Sequence, residues 1–219
     1  MKYNLKFDNE NILEIGSIFC IGSNYSKHIK EMGGTKPEAP VIFLKPRAAY
    51  IENNGVIKIP DFSNLCHHEL ELVVVIGKHC ANINKSEAYK YIAGYAVGID
   101  VTLRDLQNSA KEKGQPWAVA KGFVTSAPIS KVISSEKFDS NVPDFELKLF
   151  VNGEKRQYGN TKDMERSVPE LIEYLSKVFT LNPGDCIFTG TPEGVGQIKK
   201  GDKLVAELVG FTKIELTVE

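Results

Sequence analysis

A block of five consecutive apolar residues, at positions 72–76, is the feature that most constrains how this chain folds. The block reads Leu-Val-Val-Val-Ile, and a β-branched run of this length is typical of a strand covered on both faces. Polar and apolar residues alternate just before it, so Glu69 and Glu71 share one face of the predicted strand while Leu70 faces the other way. The sequence therefore predicts a strand that enters the core with two carboxylates side by side at its start.

This pair of carboxylates favours a bound cation. Two carboxylates so close repel each other, and one of them takes up a proton unless a cation joins them. Oxygen ligands suit a hard divalent ion such as Mg²⁺, Mn²⁺ or Ca²⁺. A third acid, Asp100, ends the apolar run at 95–99, so Glu69, Glu71 and Asp100 are candidate metal ligands. From the residues alone, the alternative is a solvated strand face for the Glu pair and a turn or helix cap for Asp100.

Composition limits the class of protein. With 219 residues, 42% of them hydrophobic, the chain is long enough for one domain with a sizeable core. The formal net charge is -1 and no basic block occurs, so we expect no nucleic acid and no membrane as a partner. The four cysteines form no Cys-x-x-Cys pair and the start of the chain lacks a signal-peptide core, which favours a cytoplasmic location. A zinc site at Cys66, His67 and His68 is an alternative that the neighbouring acids disfavour.

Short strands with a few helices between them predict an α+β, mostly β fold rather than a doubly wound sheet. We expect strands at residues 18–22, 41–44, 56–59, 145–151, 154–157, 186–189, 203–208 and 213–218. Asn152-Gly153 predicts a type I′ hairpin turn. We expect helices at residues 25–32, 86–91, 102–113 and from Ser167 onward. Thr102 with Asp105, and Ser167 with Glu170, resemble capping boxes.

Three further features are candidates for chemistry. His28 and Glu31 lie three residues apart on a predicted helix and share a face, which suits a general base oriented by a carboxylate; the alternative is a solvated surface pair. The glycine-rich segment 190–196 lacks the Gly-Lys-Ser/Thr of a P-loop and could be a connecting loop or a cradle for a carboxylate. Lys121 lies among apolar and small residues, either exposed or as a cation that faces an anionic site.

Taken together, seven ordered segments resemble the fumarylacetoacetate hydrolase family, most closely its short single-domain branch of acylpyruvases, oxaloacetate decarboxylases and isomerases. The segments are GSNYSKHIKEM (22–32), FLKP (43–46), HHELE (67–71), GIDVTLRDLQ (98–107), GQPW (114–117), AKGF (120–123) and TGTPEGVG (189–196). The resemblance implies a mixed β-roll with a few short helices. It also implies one catalytic domain over residues 1–219, with a short extension at 1–17, that forms a homodimer.

The resemblance also implies a set of site residues. Glu69, Glu71 and Asp100 are the metal ligands it implies, usually for Mg²⁺, with Mn²⁺ able to replace it. The catalytic residues it implies are His28 and Glu31, on a lid that orders over the substrate, and Lys121 beside the metal. The substrate-binding positions are Lys45, Arg104, Gln107 and Thr191. Gly122 stands where relatives often carry Ser or Ala, a small change that could adjust the pocket. Ser23 stands where some relatives carry Arg or Leu, which leaves the identity of the substrate tail open.

The implied activity is a Mg²⁺-dependent hydrolase that cleaves the C–C bond of acylpyruvate-type 2,4-dioxo acids, with decarboxylation of oxaloacetate as a second reaction of the same site. In both reactions the metal would stabilise an enolate. One alternative is an isomerase or decarboxylase of 2-hydroxyhepta-2,4-diene-1,7-dioate-type substrates. The alternative outside enzymes is a protein in which the metal only stiffens the fold.

Overall fold

The computed structural model describes residues 3–139 and 141–219. Its strands are β1 Asn4–Lys6, β2 Ile12–Glu14, β3 Ile18–Gly22, β4 Val41–Lys45, β5 Tyr50–Ile51, β6 Val56–Ile57, β7 Cys66–His68, β8 Leu70–Ile76, β9 Ile92–Ile99, β10 Thr102–Leu103, β11 Ala127–Pro128, β12 Ile133–Ser134, β13 Glu146–Val151, β14 Glu154–Asn160, β15 Cys186–Phe188, β16 Gly196–Gln197, β17 Lys203–Leu208 and β18 Thr212–Val218. The α-helices are α1 Ser26–Glu31, α2 Arg104–Glu112, α3 Ala118–Lys121 and α4 Val168–Val178. Short 3₁₀-helices lie at Arg47–Ala49, Lys85–Tyr91, Ser135–Lys137 and Thr161–Asp163.

A six-stranded mixed sheet forms the centre, in the order β12-β9-β8-β15-β3-β4. Strand β15 runs parallel to β3, and the other neighbours are antiparallel. Every residue of β8 is buried, as the apolar run predicts. Leu70 and Leu72 pack into one hydrophobic cluster while Val73 and Val75 pack into another, so both faces of the strand are covered.

Further elements cover the two faces of this central sheet. On one face lies a five-stranded sheet, ordered β14-β13-β17-β18-β6, together with residues of α4. On the other face, Leu5 and Phe7 from the N-terminal segment pack beside Ala127 and Ile129. The prediction of an α+β, mostly β fold with mixed sheets is confirmed. No helix within the described ranges is both long and apolar enough to cross a membrane.

Glu69 lies between two sheets. It follows β7, which belongs to a small sheet ordered β10-β7-β16, and it precedes β8 of the central sheet. The chain therefore changes sheets at this residue. The side chains of the small sheet and of the central sheet meet at this point, and the cavity described below opens there.

Local turn and cap signals were mostly correct. Asn152 and Gly153 both have positive φ, 53° and 82°, as a type I′ turn requires. Ser167 and Glu170 form the predicted capping box of α4. The predicted box of Thr102 with Asp105 is wrong, because α2 begins at Arg104 and the Thr102 hydroxyl instead donates to Asp100 O at 3.0 Å. The predicted helix at 86–91 is a 3₁₀-helix.

Candidate active site

Three buried carboxylates meet at one end of the central sheet. In the antiparallel pairing of β8 with β9, Glu71 lies opposite Gly98 and Leu70 opposite Ile99. One residue beyond this ladder, the Asp100 amide donates to Glu69 O at 2.8 Å. This register brings Asp100 beside the Glu pair, and one carboxylate oxygen from each of the three side chains lies within 4.8 Å of the others. All three residues are at most 5% exposed.

Three buried cations surround the carboxylates. The Lys121 ammonium donates to Glu69 Oε2 at 2.7 Å, to Asp100 Oδ2 at 2.6 Å and to the Thr102 hydroxyl at 2.6 Å, which uses all three of its N–H groups. Arg104 forms an ion pair with Glu69. Lys45 Nζ lies 2.8 Å from Asp100 Oδ1. The cations therefore pair with Glu69 and Asp100, and no lysine or arginine of the described residues pairs with Glu71.

This uneven pairing gives the two glutamates opposite electrostatics. Burial works against ionisation of Glu69, but Lys121 and Arg104 outweigh it and hold the pKa of the Glu69 carboxyl below its usual range. Burial and the charges of Asp100 and Glu69 raise the pKa of the Glu71 carboxyl well above its usual value, although Gly190 N donates to Glu71 Oε2 at 2.7 Å. Glu71 is thus the carboxylate that most needs a further cation.

The residues present fit a hard divalent cation. Three buried carboxylates supply the oxygen ligands that Mg²⁺ and Mn²⁺ prefer. Asp100 Oδ1 is buried and accepts no well-formed hydrogen bond, although Lys45 is near it. This oxygen therefore has a charged neighbour but no well-aligned donor, and a metal ion would supply the missing interaction. Glu69, Glu71 and Asp100, the three predicted ligands, are the residues that would hold the ion.

A cavity of about 120 Å³ opens onto these carboxylates. Predicted residues in its wall, besides the three acids, are His28, Arg104, Gln107, Lys121 and Thr191. Further side chains in the wall include Phe43, Lys111 and Trp117. Lys45, predicted to bind substrate, is not in this wall. Its ammonium instead lies behind Asp100 and donates to main-chain oxygens of Val101, at 3.2 Å, and of Lys121.

His28 and Glu31 form the predicted pair on α1. His28 Nδ1 lies 3.0 Å from Glu31 Oε2, and His28 is only 8% exposed. The carboxylate partner favours the tautomer that carries its proton on Nδ1, which leaves Nε2 as an acceptor. The other Glu31 oxygen accepts from Gly194 N at 3.0 Å. Glu31 therefore orients the imidazole and also links α1 to the glycine-rich segment 190–196.

Gln157 is a site residue that the sequence did not reveal. Its Oε1 accepts from the Leu70 amide at 3.0 Å, and a main-chain N–H can only donate, which identifies this atom as the oxygen. Its Nε2 consequently donates to the Thr191 hydroxyl at 2.8 Å and to Pro192 O at 3.0 Å. The Thr191 oxygen is thereby used as an acceptor. The Thr191 hydroxyl itself donates to Pro192 O in a long hydrogen bond of 3.4 Å, with which a ligand oxygen in the cavity would compete.

The histidines of β7 do not form a zinc site. His68 Nδ1 lies 2.8 Å from Gln157 Oε1, and burial lowers the pKa of His68. Burial and the charge of Arg104 lower the pKa of His67 to about 4. Among residues 3–139 and 141–219, only the acid triad groups three side chains able to ligate a metal. The hard-ion interpretation of this region is the one that the geometry supports.

Comparison with known proteins shows similarity over nearly the whole chain. It is 50% identical over 203 residues to the oxaloacetate tautomerase FAHD1, mitochondrial, of Arabidopsis thaliana, which covers 92% of this chain and 90% of that protein. It is 45% identical over 198 residues to the oxaloacetate tautomerase YcgM of Escherichia coli, which covers 90% of each chain.

Solved structures show the same architecture. The crystal structure of fumarylpyruvate hydrolase from Pseudomonas aeruginosa in complex with Mn²⁺ and pyruvate matches with a TM-score of 0.94 at 34% identity, over 99% of this chain and 95% of that one. The 2-hydroxyhepta-2,4-diene-1,7-dioate isomerase from Mycobacterium marinum matches with a TM-score of 0.82 at 36% identity, over 94% of this chain and 75% of that one.

The family model described as fumarylacetoacetate (FAA) hydrolase C-terminal matches residues 17–219. This range contains the acid triad, both residues of the His28–Glu31 pair and the whole glycine-rich segment 190–196. The sequence segments, the fold and the matched model agree, and the chain belongs to the fumarylacetoacetate hydrolase family.

Proposed function

We propose that this chain is a metal-dependent enzyme that moves a proton at C3 of a small 2-oxo acid, and that it interconverts the keto and enol forms of oxaloacetate. The observation that carries the proposal is the acid triad in the wall of a small cavity that His28 also lines. The names of relatives that are 45% and 50% identical support oxaloacetate as the substrate.

Each residue has a distinct part in this reaction. A divalent cation held by the triad would polarise the 2-oxo group and stabilise negative charge on its oxygen. His28 Nε2 would remove the proton from C3 while Glu31 stabilises the imidazolium, and a proton delivered to the 2-oxo oxygen would complete the enol; the reverse steps would give back the keto acid. The Thr191 hydroxyl would donate to a substrate oxygen. Lys121, whose three N–H groups are all used by protein acceptors, would hold the carboxylates in place.

A second candidate is hydrolysis of the C–C bond of acylpyruvates. It is favoured by the His28–Glu31 pair, which could equally remove a proton from water, and by the similarity to a fumarylpyruvate hydrolase. In that reaction the water would attack the C4 carbonyl and the electrons of the C3–C4 bond would pass to C3. Decarboxylation of oxaloacetate needs no activated water and would use the same enolate stabilisation.

We likewise propose that Mg²⁺ is the physiological ion, that the protein forms a homodimer and that it is located in the cytoplasm.

Turnover of three substrates by one preparation tests the proposal. Purified protein is assayed with oxaloacetate, acetylpyruvate and 2-hydroxyhepta-2,4-diene-1,7-dioate, with Mg²⁺, with Mn²⁺ and with a chelator. We expect the keto–enol conversion of oxaloacetate to be the fastest of the three reactions, and we expect the chelator to abolish this activity. His28→Ala is expected to lower that rate by about 10² or more, the scale of a general base. The exposed His79→Ala is the matched control.

Two outcomes contradict the proposal. If the protein turns over none of the three substrates faster than the uncatalysed rate, the alternative in which the metal only stiffens the fold is supported. A His28→Ala variant with the activity of the parent would return the His28–Glu31 pair to a purely structural role.

A further inference from the structure

Helix α2 presents three polar side chains to the cavity. Arg104, Gln107 and Lys111 are spaced three and four residues apart, which places them on one face of the helix, and all three line the cavity. Arg104 and Gln107 are buried, whereas Lys111 is exposed, so Lys111 lies at the mouth. Arg104 is used by Glu69 and by Gln107 Oε1.

The Lys111 ammonium has no anionic partner. No carboxylate in the described ranges lies within 4.0 Å of it, whereas most lysines near the cavity are paired. Its Nζ lies 5.3 Å from the centroid of the Trp117 ring, a cation–π contact that holds the side chain over the cavity. Burial and the neighbouring charge of Arg104 lower the pKa of Lys111, which shows that the surroundings do not yet compensate its charge.

The balance of charge around the cavity points to a ligand with more than one negative group. The buried acids Glu69, Glu71 and Asp100 are already matched in number by Lys45, Arg104 and Lys121. A divalent cation and Lys111 would therefore leave the cavity with excess positive charge. A 2-oxo acid with one carboxylate would neutralise only part of it, whereas a dicarboxylic acid would bring a second charge to the mouth.

From this geometry we infer that Lys111 is a specificity-determining residue, which binds the distal carboxylate of a dicarboxylic 2-oxo acid. The inference rests on the proposed function, since it assumes that the 2-oxo end of the substrate lies at the acid triad. The cation–π contact with Trp117 restricts the position of the Lys111 ammonium, so less side-chain freedom is lost when the carboxylate binds. Acids without this second carboxylate leave the Lys111 ammonium unpaired and are therefore poorer substrates.

The test compares two four-carbon acids that differ only at the distal end. Oxaloacetate carries the second carboxylate, and 2-oxobutyrate carries a methyl group in its place. Enolisation of each is followed as exchange of the C3 hydrogen for deuterium, with Mg²⁺ present. Lys111→Met is expected to lower kcat/KM for oxaloacetate by about 10–100-fold, the range for a hydrogen bond to a charged group, and to lower it much less for 2-oxobutyrate.

Two further variants make the test specific. Lys111→Arg keeps the charge and should restore most of the preference for oxaloacetate. Lys113→Met removes the same charge from an exposed residue that does not line the cavity, and should keep the parent's ratio between the two acids. Equal losses on both acids in Lys111→Met, or an equal change of ratio in Lys113→Met, would overturn the inference.

The test separates this inference from the proposed function. If the parent protein enolises neither acid above the rate in buffer with Mg²⁺, the proposed function fails and the inference falls with it. If the parent enolises both acids and Lys111→Met leaves the ratio unchanged, the proposed function stands and only the assignment of Lys111 is wrong.

Discussion

A single amide, that of Gln157, sets the direction of the hydrogen bonds at Thr191. The side-chain oxygen of Gln157 accepts a hydrogen bond from the Leu70 amide. Its side-chain nitrogen therefore faces Thr191 and donates to the Thr191 hydroxyl at 2.8 Å. The Thr191 hydroxyl thus accepts from Gln157 and donates only a long hydrogen bond of 3.4 Å to Pro192 O, which a substrate carboxylate or oxyanion would replace. A glutamate at position 157 would accept at both ends and would turn the Thr191 hydroxyl away from the cavity.

We therefore expect Gln157→Glu to raise KM by about tenfold, the loss of one hydrogen bond of about 1.4 kcal/mol, with a smaller effect on kcat. In a Thr191→Val background the same change should have little further effect on KM, because the hydroxyl it redirects is gone. Steady-state kinetics of the two single variants and the double variant measure this coupling. Additive effects on KM would mean that Gln157 affects substrate binding by a route other than the Thr191 hydroxyl.

At the scale of the element, Asp105 holds the first turn of helix α2, although not through the capping box that the sequence predicted. Asp105 was expected to form a capping box with Thr102. It instead accepts hydrogen bonds from the Ser63 hydroxyl at 2.7 Å, the Asn64 amide at 2.8 Å and its neighbour Leu106 N at 2.9 Å. These contacts tie the helix to the segment before β7, and the helix in turn carries Arg104.

Asp105→Asn should destabilise the fold by about 1 kcal/mol at pH 7, because an amide group would then face the Asn64 N–H. Burial alone would raise the pKa of Asp105, but the hydrogen bonds from Asn64 and Ser63 outweigh it and lower that pKa. A lowered pKa stabilises the folded state above the unfolded pKa, and this contribution disappears as the pH falls through the folded pKa. The difference from the parent should therefore shrink below about pH 4.

Urea unfolding at pH 7 and at lower pH values measures this difference. The exposed Asp61→Asn is the control, since its carboxylate accepts no hydrogen bond among the residues described. A difference between Asp105→Asn and the parent that stays constant down to pH 3 would contradict the assignment.

For the whole molecule, the proposed metal site couples ion binding to folding. The triad joins Glu69, at the passage between two sheets, to Glu71 in the central sheet and to Asp100 directly after β9. The unfolded chain does not hold the three acids together, so the ion would bind the folded state alone. At a metal concentration 100 times Kd, such binding stabilises the fold by about 2.7 kcal/mol.

We accordingly expect Mg²⁺ or Mn²⁺ to raise Tm by several degrees, given about 2–4 °C per kcal/mol for a chain of this size. Glu71→Gln should lose this increase, and its metal-free Tm should equal or exceed that of the metal-free parent, because a buried carboxylate with a raised pKa has been neutralised. Calorimetry with and without the ion measures both effects. Exposed Glu112→Gln is the control, and an unchanged metal response in Glu71→Gln would remove Glu71 from the site.

The sequence by itself determined the local elements and part of the site. Alternation and apolar run length predicted β8, buried on both faces, and the shared face of Glu69 and Glu71. Asn152-Gly153 predicted its hairpin because few residues other than glycine and asparagine adopt positive φ readily. These features depend on residues close together in the chain, whose geometry follows from backbone periodicity.

Only the tertiary structure decided which distant residues meet. The register of β8 with β9 brings Asp100 to the Glu pair, and β14, from another sheet, brings Gln157 to Thr191. The tertiary structure also places Lys45 behind Asp100, outside the cavity wall. It places Lys111 at the mouth of the cavity, with no carboxylate of the described residues beside it. Local pattern carries no information on such pairings, because they result from how the two sheets pack across a shared core and from which buried charges must be compensated there.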